Sequence, residues 1–492
     1  MSRIIIQNGN MCELDLPLKF AQKLYAEFAI RHPNAFYLRT RQRGMQNWDG
    51  KIHYINKHGE FKIGLLPAVY EKCIEYGIKP KVVDMRQPLP KVSKVVTKIG
   101  EYKLRPEQEK AVKAVINNKV GKVPFQIGVL DYTVNAGKTL IMSSLYLSYK
   151  KELKTLLITN DSDWLNQARD EFKKYLPGEQ ITFVQGKVLN WSNFTIGMVQ
   201  SISRNMRFYQ NELSKVDMVL VDEADQAGSN QYQNVLTRLF NTRVRIGLSG
   251  TIYMSKLAKD KVKNMNLEVF FGKVLAEFKL KDSIKKGYST RTIVKMVPSK
   301  PWYGNWESEE VSYKEVYDDS ITFNKYAKRM VYSRLKWNLK QDRYPALVVC
   351  KFIAHCENLC KYFKKKLGSK YNIACVHVDT PSKIRQQIMK DFREGKIDIL
   401  VSTTIIARGK NFPKLRYLLN AASMDSQEKS IQFLGRLVRT DSSKKKVYLD
   451  DLHYPGPYLN RHGKHRKQYY QKQELKVILL EKIWKNHPIH SL

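Results

Sequence analysis

A short glycine-containing loop has the residue types that bind phosphate groups. The segment DYTVNAGKT, residues 131–139, follows an apolar run and precedes the helical stretch LIMSSLYLSY. Backbone N–H groups at a helix start attract anions, the lysine would reach the β- and γ-phosphates, and the threonine hydroxyl would bind Mg²⁺. The predicted phosphate-binding residues are Asn135, Ala136, Gly137, Lys138 and Thr139. Tyr132 stands where the pattern GxxxxGK[ST] has its first glycine, so the loop alone does not decide the function.

A pair of carboxylates follows a second apolar run. The segment MVLVDEAD, residues 218–225, reads as a buried strand that ends in Asp222 and Glu223. In phosphoryl transfer one such carboxylate holds Mg²⁺ and its neighbour polarises the attacking water. We therefore expect Asp222 and Thr139 to bind the metal and Glu223 to act on water. Acidic residues in such a turn can also merely cap a helix, but a phosphate loop in the same chain favours nucleotide hydrolysis.

Two arginines near residue 437 could act on the same nucleotide from a distant part of the chain. The segment QFLGRLVR places Gln432, Arg436 and Arg439 at spacings of four and three, which is one face of a helix. Arginines brought to a nucleotide by a second domain can stabilise the charge of the transition state. A solvated basic helix face is the alternative for these residues taken alone.

The elements that must position these residues alternate in type after about residue 100. Apolar runs of strand length are separated by helical stretches, which predicts parallel sheets with crossover helices. One series contains GVLDYT, TLLITN, TIGMVQ and VRIGLSGT, and another contains ALVVCKF, NIACVHVD, IDILVSTT and KVYLDDL. Before them, GKIHYI and FKIGLL are predicted to pair as a β-hairpin. The fold class is therefore α/β, with two tandem domains after a small α+β region.

The composition points to a polyanionic partner. The chain has 492 residues, with 86 Lys and Arg against 46 Asp and Glu, for a formal net charge of +40. Such a field attracts nucleic acid, although an anionic membrane surface or an acidic protein is an alternative. No apolar stretch is long enough to span a bilayer, the N-terminus lacks a secretion signal, and six cysteines form no disulfide framework. We expect a cytoplasmic protein with no membrane partner.

The order of the motifs resembles that of superfamily 2 helicases. The motifs follow one another between about residues 100 and 450: LRPEQEKAV, the phosphate loop, ITNDSDWLNQ, GMVQSI, DEAD, LSGT, STTIIARGKNFP and QFLGRLVR. The resemblance implies two RecA-like domains, ATP and Mg²⁺ as cofactors, and an adenine contact from Gln108, with Gln432 also in the nucleotide site. It assigns Arg436 and Arg439 as finger arginines. The residues that it implies in coupling hydrolysis to strand movement are Ser249, Gly250, Thr251 and Gly409.

The resemblance also suggests a substrate. LSGT and QFLGRLVR suit the DNA-directed DExH relatives, and RHPNAFYLRTRQRGMQNWDGKIHYI with NAGKT is similar to UvsW-type helicases of tailed bacteriophages. This implies a monomeric DNA helicase that acts on branched DNA by fork regression, junction migration and removal of RNA from R-loops, in the cytoplasm of a host cell. An RNA helicase, a duplex translocase that does not separate strands, and an annealing protein without motor activity remain alternatives.

The resemblance also implies domain boundaries and residues that contact nucleic acid. The domains are an accessory nucleic-acid-binding domain (1–95), RecA-like domains 1 (96–285, ATP-binding) and 2 (286–455), and a basic extension (456–492). The candidate contacts to the nucleic-acid backbone are Gln200, Ser201, Arg204, Lys351, Ser402 and Thr403. Trp48 and the aromatic residues Trp302, Tyr303 and Trp306 could stack on unpaired bases, but packing within the fold is the favoured interpretation of all four.

Overall fold

The computed structural model divides the chain into two compact units, Met1–Phe278 (unit 1) and Lys279–Leu492 (unit 2). The described residues are 2–42, 44–149, 152–188, 190–252, 258–299, 311–407, 412–425, 430, 433–435, 437–440 and 444–480. None of the helices in these ranges combines the length and the apolar character that crossing a bilayer requires.

The first part of unit 1 is a small mixed region. Its elements are β1 (Arg3–Ile6), β2 (Met11–Asp15), α1 (Leu18–Glu27), β3 (Ala29–Arg31), α2 (Ala35–Arg41), β4 (Lys51–His53), β5 (Glu60–Lys62), α3 (Leu66–Glu75) and β6 (Lys81–Asp84). Four strands form a sheet in the order β5-β2-β1-β6, with only the β1–β6 pair parallel. The predicted hairpin is confirmed only at one antiparallel bridge, which joins Ile55 to Phe61. Its longer pairing is wrong, because β4 pairs with β3 and β5 pairs with β2.

The rest of unit 1 surrounds a parallel sheet. Its elements are β7 (Lys98–Ile99), β8 (Tyr102–Lys103), α4 (Pro106–Ile116), β9 (Lys119–Val120), β10 (Val123–Pro124), β11 (Ile127–Tyr132), α5 (Lys138–Ser148), β12 (Thr155–Thr159), α6 (Ser162–Tyr175), β13 (Ile181–Val184), β14 (Phe194–Met198), α7 (Val199–Arg204), α8 (Met206–Ser214), β15 (Met218–Asp222), α9 (Asn230–Leu236), β16 (Val244–Ser249), α10 (Ala258–Phe271) and β17 (Val274–Phe278). Among the described residues, seven strands pair in the order β13-β14-β12-β15-β16-β11-β17, all parallel.

Unit 2 has a sheet of its own. Its elements are α11 (Leu280–Lys285), β18 (Arg291–Pro298), α12 (Tyr313–Tyr317), α13 (Lys325–Leu339), β19 (Ala346–Cys350), α14 (Ile353–Leu367), β20 (Ile373–Val376), α15 (Ser382–Glu394), β21 (Ile399–Thr403), β22 (Tyr417–Asn420), β23 (Lys446–His453), α16 (Leu459–Lys472) and β24 (Lys476–Leu479). The seven strands within the described ranges pair in parallel in the order β20-β21-β19-β22-β23-β18-β24.

The two parallel sheets have the same topology. When the strands of each parallel sheet are numbered in chain order, each sheet runs third, fourth, second, fifth, sixth, first, seventh strand. Their central strands are buried on both faces, which is why they read as continuous apolar runs in the sequence. The predicted fold class, two tandem RecA-like domains after a small α+β region, is confirmed.

The small N-terminal region is packed against the first parallel sheet through a buried arginine. Arg245, at the start of β16, is fully buried, and its Nη2 atom donates to the carbonyl oxygen of Gly9 at 2.8 Å and to Asn10 Oδ1 at 2.6 Å. The N–H of Gly9 in turn donates to the carbonyl of Phe240. Because an unpaired guanidinium is costly to bury, these acceptors fix where the N-terminal region lies in unit 1.

Candidate nucleotide-binding site

The site forms at the carboxyl edge of the first parallel sheet. The strands β14, β12, β15, β16 and β11 are consecutive neighbours and all point the same way. Their C-terminal ends therefore release five loops at one edge, where ligands bind in open α/β sheets. The residues that follow these strands include Gln200, Asn160, Asp222, Thr251 and Lys138.

The phosphate loop has the backbone that its sequence requires. It connects β11 to α5, and both Asn135 (φ 63°) and Gly137 (φ 71°) adopt the left-handed region. Gly137 is the N-cap of α5, so the helix begins at Lys138. A Cβ atom at Gly137 would also lie 2.3 Å from Gln108 Nε2, which makes glycine necessary at this position.

The residue that replaces the first glycine ties this loop to α4. Tyr132 is fully buried, and its hydroxyl donates to the carbonyl of Glu107 at 2.6 Å. The next residue, Gln108, donates from Nε2 to the carbonyl of Ala136 at 2.8 Å and accepts at Oε1 from the N–H of Arg105. In this conformation Gln108 therefore braces the phosphate loop, and its predicted contact to adenine would require it to exchange these partners.

The two predicted catalytic carboxylates lie opposite the lysine. Lys138 Nζ is 3.7 Å from Asp222 Oδ1, an atom with no hydrogen-bond partner in the described part of the chain. Burial raises the pKa of Asp222, an effect that Lys138 opposes. Burial and then the charge of Asp222 raise the pKa of Glu223 to about 7. Glu223 also has a left-handed backbone, with φ 52°.

This arrangement suits a divalent cation. Buried carboxylates that share too little positive charge are stabilised by a bound metal ion, and hard oxygen ligands are those that Mg²⁺ prefers. Asp222 and the half-buried Thr139, next to Lys138 in the first turn of α5, are the residues that would hold the ion. The donor set therefore fits the predicted Mg²⁺.

The LSGT motif lies against the last carboxylate of DEAD. Ser249 Oγ donates to Asp225 Oδ1 at 2.6 Å and is 2.9 Å from Thr251 Oγ1. A Cβ atom at Gly250 would lie 3.0 Å from Thr133 Cα, so glycine allows this turn to approach the phosphate loop. Three predicted coupling residues are thus brought to the nucleotide site. Gly409 lies outside the described residues.

A line of polar side chains leads from Glu223 to α7. Gln226 Nε2 donates to Glu223 Oε2 at 3.4 Å, and Gln226 is also bonded to Asn160. Gln200 Nε2 then donates to the carbonyl of Asn160 at 3.2 Å. The sequence interpretation included the segment ITNDSDWLNQ, which contains Asn160, among the motifs, but it singled out neither Asn160 nor Gln226 nor the Ser249 contact of Asp225. Asn160 could have been found, because it follows β12 and its strand was predicted to end at this edge.

The predicted nucleic-acid contacts fall into two groups. Arg204 is exposed at the end of α7, and Gln200 and Ser201 are partly exposed at its start. In unit 2, Lys351 Nζ lies 3.7 Å from the ring centroid of Tyr313. Ser402 and Thr403 are buried in β21, and Ser402 Oγ donates to the carbonyl of Thr403. A contact from these two residues would therefore use main-chain atoms.

Several predicted residues cannot be placed at the site. Gln432 and Arg436 lie outside the described residues, as do the aromatic residues Trp302, Tyr303 and Trp306. Arg439 is partly buried in unit 2, where its carbonyl accepts a hydrogen bond from Thr290 Oγ1 at 3.2 Å. The roles of these residues stay predictions.

The comparison with known proteins agrees with this geometry. Residues 101–254 match the family described as the res subunit of type III restriction enzymes, and residues 327–441 match the helicase conserved C-terminal domain. The chain is 22% identical over 382 residues to putative helicase 22 of Sulfolobus islandicus filamentous virus, covering 72% of this chain and 65% of the relative. It therefore spans less than two thirds of that relative.

A solved structure of a restriction-enzyme subunit shares the fold. A fragment of a putative HsdR subunit of a type I restriction enzyme from Vibrio vulnificus YJ016 matches with a TM-score of 0.55 and 16% identity, covering 74% of this chain and 64% of that one. The crystal structure of UvsW from T4 matches with a TM-score of 0.45 and 19% identity, covering 97% and 98%. With the ordered motifs and the two family matches, the chain belongs to the superfamily 2 helicases.

Proposed function

We propose that this protein is an ATP-dependent DNA helicase or translocase that acts on branched DNA. The observation that carries the proposal is the cluster of Lys138, Asp222, Glu223 and Ser249 at one sheet edge of a superfamily 2 helicase. The net charge of +40 supports a nucleic-acid partner. The fork-regression, junction-migration and R-loop activities rest on the sequence resemblance of the N-terminal segment to UvsW-type helicases.

Each residue of the cluster has a role in hydrolysis. Lys138 and the N–H groups at the start of α5 bind the β- and γ-phosphates. When it is bound, Mg²⁺ at Thr139 and Asp222 neutralises charge on those phosphates. Glu223 accepts a proton from the attacking water. Its raised pKa, about 7, is suited to a general base that works near neutral pH.

The same cluster offers a route for coupling. Ser249 ends β16 and donates to Asp225, two residues beyond Glu223, and Thr251 Oγ1 lies 2.9 Å from Ser249 Oγ. Gln226 and Asn160 connect Glu223 with Gln200, a candidate nucleic-acid contact. A change of charge at Glu223 during hydrolysis would therefore alter hydrogen bonds that lead to α7.

ATP hydrolysis measured across nucleic-acid structures tests the proposal. We expect stimulation by forks, four-way junctions and R-loops to exceed stimulation by plain single strands, and DNA to exceed matched RNA. Lys138→Ala and Glu223→Gln should each lower turnover by about 10²-fold or more while nucleic-acid binding persists. The matched control is Asp217→Asn, at the start of β15, where Asp217 pairs with Arg243 away from the strand end.

The outcomes separate the alternatives. Greater stimulation by RNA would replace the DNA assignment with an RNA helicase. Displacement of a triplex strand without duplex unwinding would indicate a duplex translocase. Binding and annealing without any hydrolysis by the wild-type chain would contradict the motor itself.

A further inference from the structure

Helix α2 presents two aromatic side chains to solvent. Phe36 is 81% exposed and Tyr37 is 55% exposed, whereas the preceding Ala35 is only 5% exposed. The helix thus turns its smallest apolar side chain inward and its aromatic rings outward. Adjacent exposed rings of this size are unfavourable in water unless a partner covers them, so they indicate a binding surface.

The exposure is not the result of a poorly fixed segment. The chain on either side of α2 forms the β3–β4 ribbon, in which Arg31 is paired with Lys51. Trp48 Nε1 donates to the carbonyl of Lys51 at 2.8 Å, and the N–H of His32 donates to the carbonyl of Gly50 at 2.8 Å. Trp48 therefore packs against the β3–β4 ribbon, which adjoins α2.

The surroundings of the two rings are basic. Between Phe28 and Trp48 the sequence contains four arginines and no aspartate or glutamate. Two of the arginines, Arg39 and Arg41, lie in the last turn of α2. The guanidinium carbon of Arg41 is 5.1 Å from the ring centroid of Tyr37. Planar rings beside arginines that have no acidic partner in the described part of the chain match the two parts of a nucleotide chain, the base and the phosphate.

We propose that α2 is a stacking platform for the unpaired bases of single-stranded nucleic acid. Phe36 and Tyr37 stack on successive bases, and Arg39 and Arg41 bind the flanking phosphates. The assignment rests on the proposed function for nucleic acid as the substrate, and it adds a contact that lies outside the ATP-binding cluster. Aromatic stacking tolerates any base, so the platform binds without sequence preference.

Binding of a fluorescein-labelled oligothymidylate to the full chain, followed by anisotropy in EDTA without nucleotide, tests the platform. Phe36→Ala and Tyr37→Ala should each weaken binding on the order of tenfold. Phe36→Leu keeps the apolar surface but removes the ring, and it should weaken binding as much as Phe36→Ala. The matched control is Leu18→Ala on α1, since Leu18 is 72% exposed but carries no ring.

A direct contact is checked by photocrosslinking. An oligonucleotide with 5-iodouracil should crosslink to the peptide that contains Phe36 and Tyr37, and oligouridylate tested in parallel shows whether the platform discriminates the sugar. Weaker binding by the ring-removing variants on DNA, RNA or both, with the crosslink, supports the proposal. Unchanged affinity in Phe36→Ala or no crosslink to α2 would overturn it. Full affinity in Phe36→Leu with loss in Phe36→Ala would also overturn it, because an apolar side chain without a ring would then suffice for binding.

Failure of the platform and failure of the motor can be told apart. The ATP turnover of Phe36→Ala without nucleic acid should equal that of the wild type. If the wild-type chain hydrolyses ATP and unwinds DNA, and Phe36→Ala binds the oligonucleotide with unchanged affinity, the platform alone is contradicted. A chain that binds through Phe36 but hydrolyses no ATP contradicts the motor and leaves the platform intact.

Discussion

In the sheet of unit 1 the buried carboxylates Asp222 and Asp225 lie at or just past a strand end, whereas in unit 2 Asp450 and Asp451 lie inside β23. The sheets share one strand order, and β15 and β23 are both interior strands, with β23 in the place that β16 has in unit 1. The strand order by itself therefore does not account for the difference. The difference lies in what surrounds each carboxylate.

Each carboxylate of unit 2 is paired with an arginine and a tyrosine within the fold, although Asp450 Oδ1 has no hydrogen-bond partner among the described residues. Asp450 Oδ2 accepts from Arg334 Nε at 2.8 Å and from Tyr417 Oη at 2.9 Å. Asp451 accepts from Arg466 at 2.8 to 3.0 Å and from Tyr470 Oη at 2.6 Å. These residues come from α13, β22 and α16, so the network fixes helices on the second sheet.

The carboxylates of unit 1 lack such partners. Within the described residues no arginine pairs with Asp222, and its cationic neighbour is Lys138 at 3.7 Å. Burial raises the pKa values of Asp222, Glu223 and Asp225 alike. The comparison teaches that one sheet design serves two purposes. Paired acids hold the fold together, and underpaired acids at a strand end are ready to bind a cation and move a proton.

The largest expected effect comes from breaking the paired network. Arg466→Met leaves Asp451 charged and buried, so we expect unit 2 to lose about 3–5 kcal/mol in its free energy of unfolding. Urea unfolding, with limited proteolysis of unit 2 as the readout, measures this loss of stability. Arg461→Met on the exposed side of the same helix should change it by less than about 0.5 kcal/mol. Equal stability of the two variants would contradict the conclusion that the paired acids of unit 2 hold its fold together.

The opposite effect is expected at the underpaired site. Between pH 4.5 and about 7, native Glu223 keeps a proton that the unfolded chain releases, so unit 1 gains stability as the pH falls. Glu223→Gln removes the charge and should raise the free energy of unfolding at pH 8 in EDTA by about 3 kcal/mol. The gain should vanish near pH 4.5.

A matched carboxylate gives the control for this pH dependence. Glu212 lies in the same unit and is paired with Lys154 and Lys215, so Glu212→Gln should lower stability at pH 8. Urea titrations at several pH values compare the two variants. Loss of stability in Glu223→Gln at pH 8 would mean that Glu223 has a stabilising partner, as Asp451 does.

A smaller effect is expected from the contact between LSGT and DEAD. Ser249→Ala leaves Asp225 Oδ1 without its donor, which should cost unit 1 about 1–3 kcal/mol. We expect ATP hydrolysis to persist while strand separation per ATP falls. Assays of turnover and unwinding on the same forked DNA measure the ratio, with Ser214→Ala on exposed α8 as control. An unchanged ratio would exclude Ser249 from coupling.

The smallest effects are expected at the basic side chains that contact phosphates. Arg204→Gln in unit 1 and Lys351→Gln in unit 2 should each reduce the slope of log affinity against log salt by about 0.7, as for one single-strand phosphate. Titrations of an oligonucleotide between low and moderate salt measure the slopes. A change for Arg204 but none for Lys351 would show that Tyr313 holds the lysine in a structural role.

Much of the nucleotide site could be predicted because its signals are local. The phosphate loop, DEAD and LSGT each lie within a few residues of a strand end, and parallel strands place such ends at one edge. Lys138, Asp222 and Ser249 were accordingly found from the sequence and lie where that edge requires. The presence of Tyr132 in place of the first glycine could not be explained from the sequence, because the carbonyl that its hydroxyl bonds to, that of Glu107, lies on another element.

Strand partners in the N-terminal region show the limit of local reasoning. GKIHYI and FKIGLL are adjacent in sequence and were predicted to pair, but β4 and β5 bond to strands that come earlier in the chain. Each strand carries the same backbone donors and acceptors whichever neighbour it meets. Burial of side chains such as Phe61, which is 1% exposed, decides among the neighbours.

The sequence by itself determined the class of protein, the α/β fold and most of the residues expected to bind ATP, because those depend on short patterns and on the net charge. Tertiary structure decided which buried acids are paired, how Asn160 and Gln226 join Glu223 to α7, and that Phe36 and Tyr37 face solvent while Trp48 packs. These outcomes depend on burial and on partners distant in the chain. The pattern of residue types along one segment specifies neither the burial of a side chain nor its distant partners.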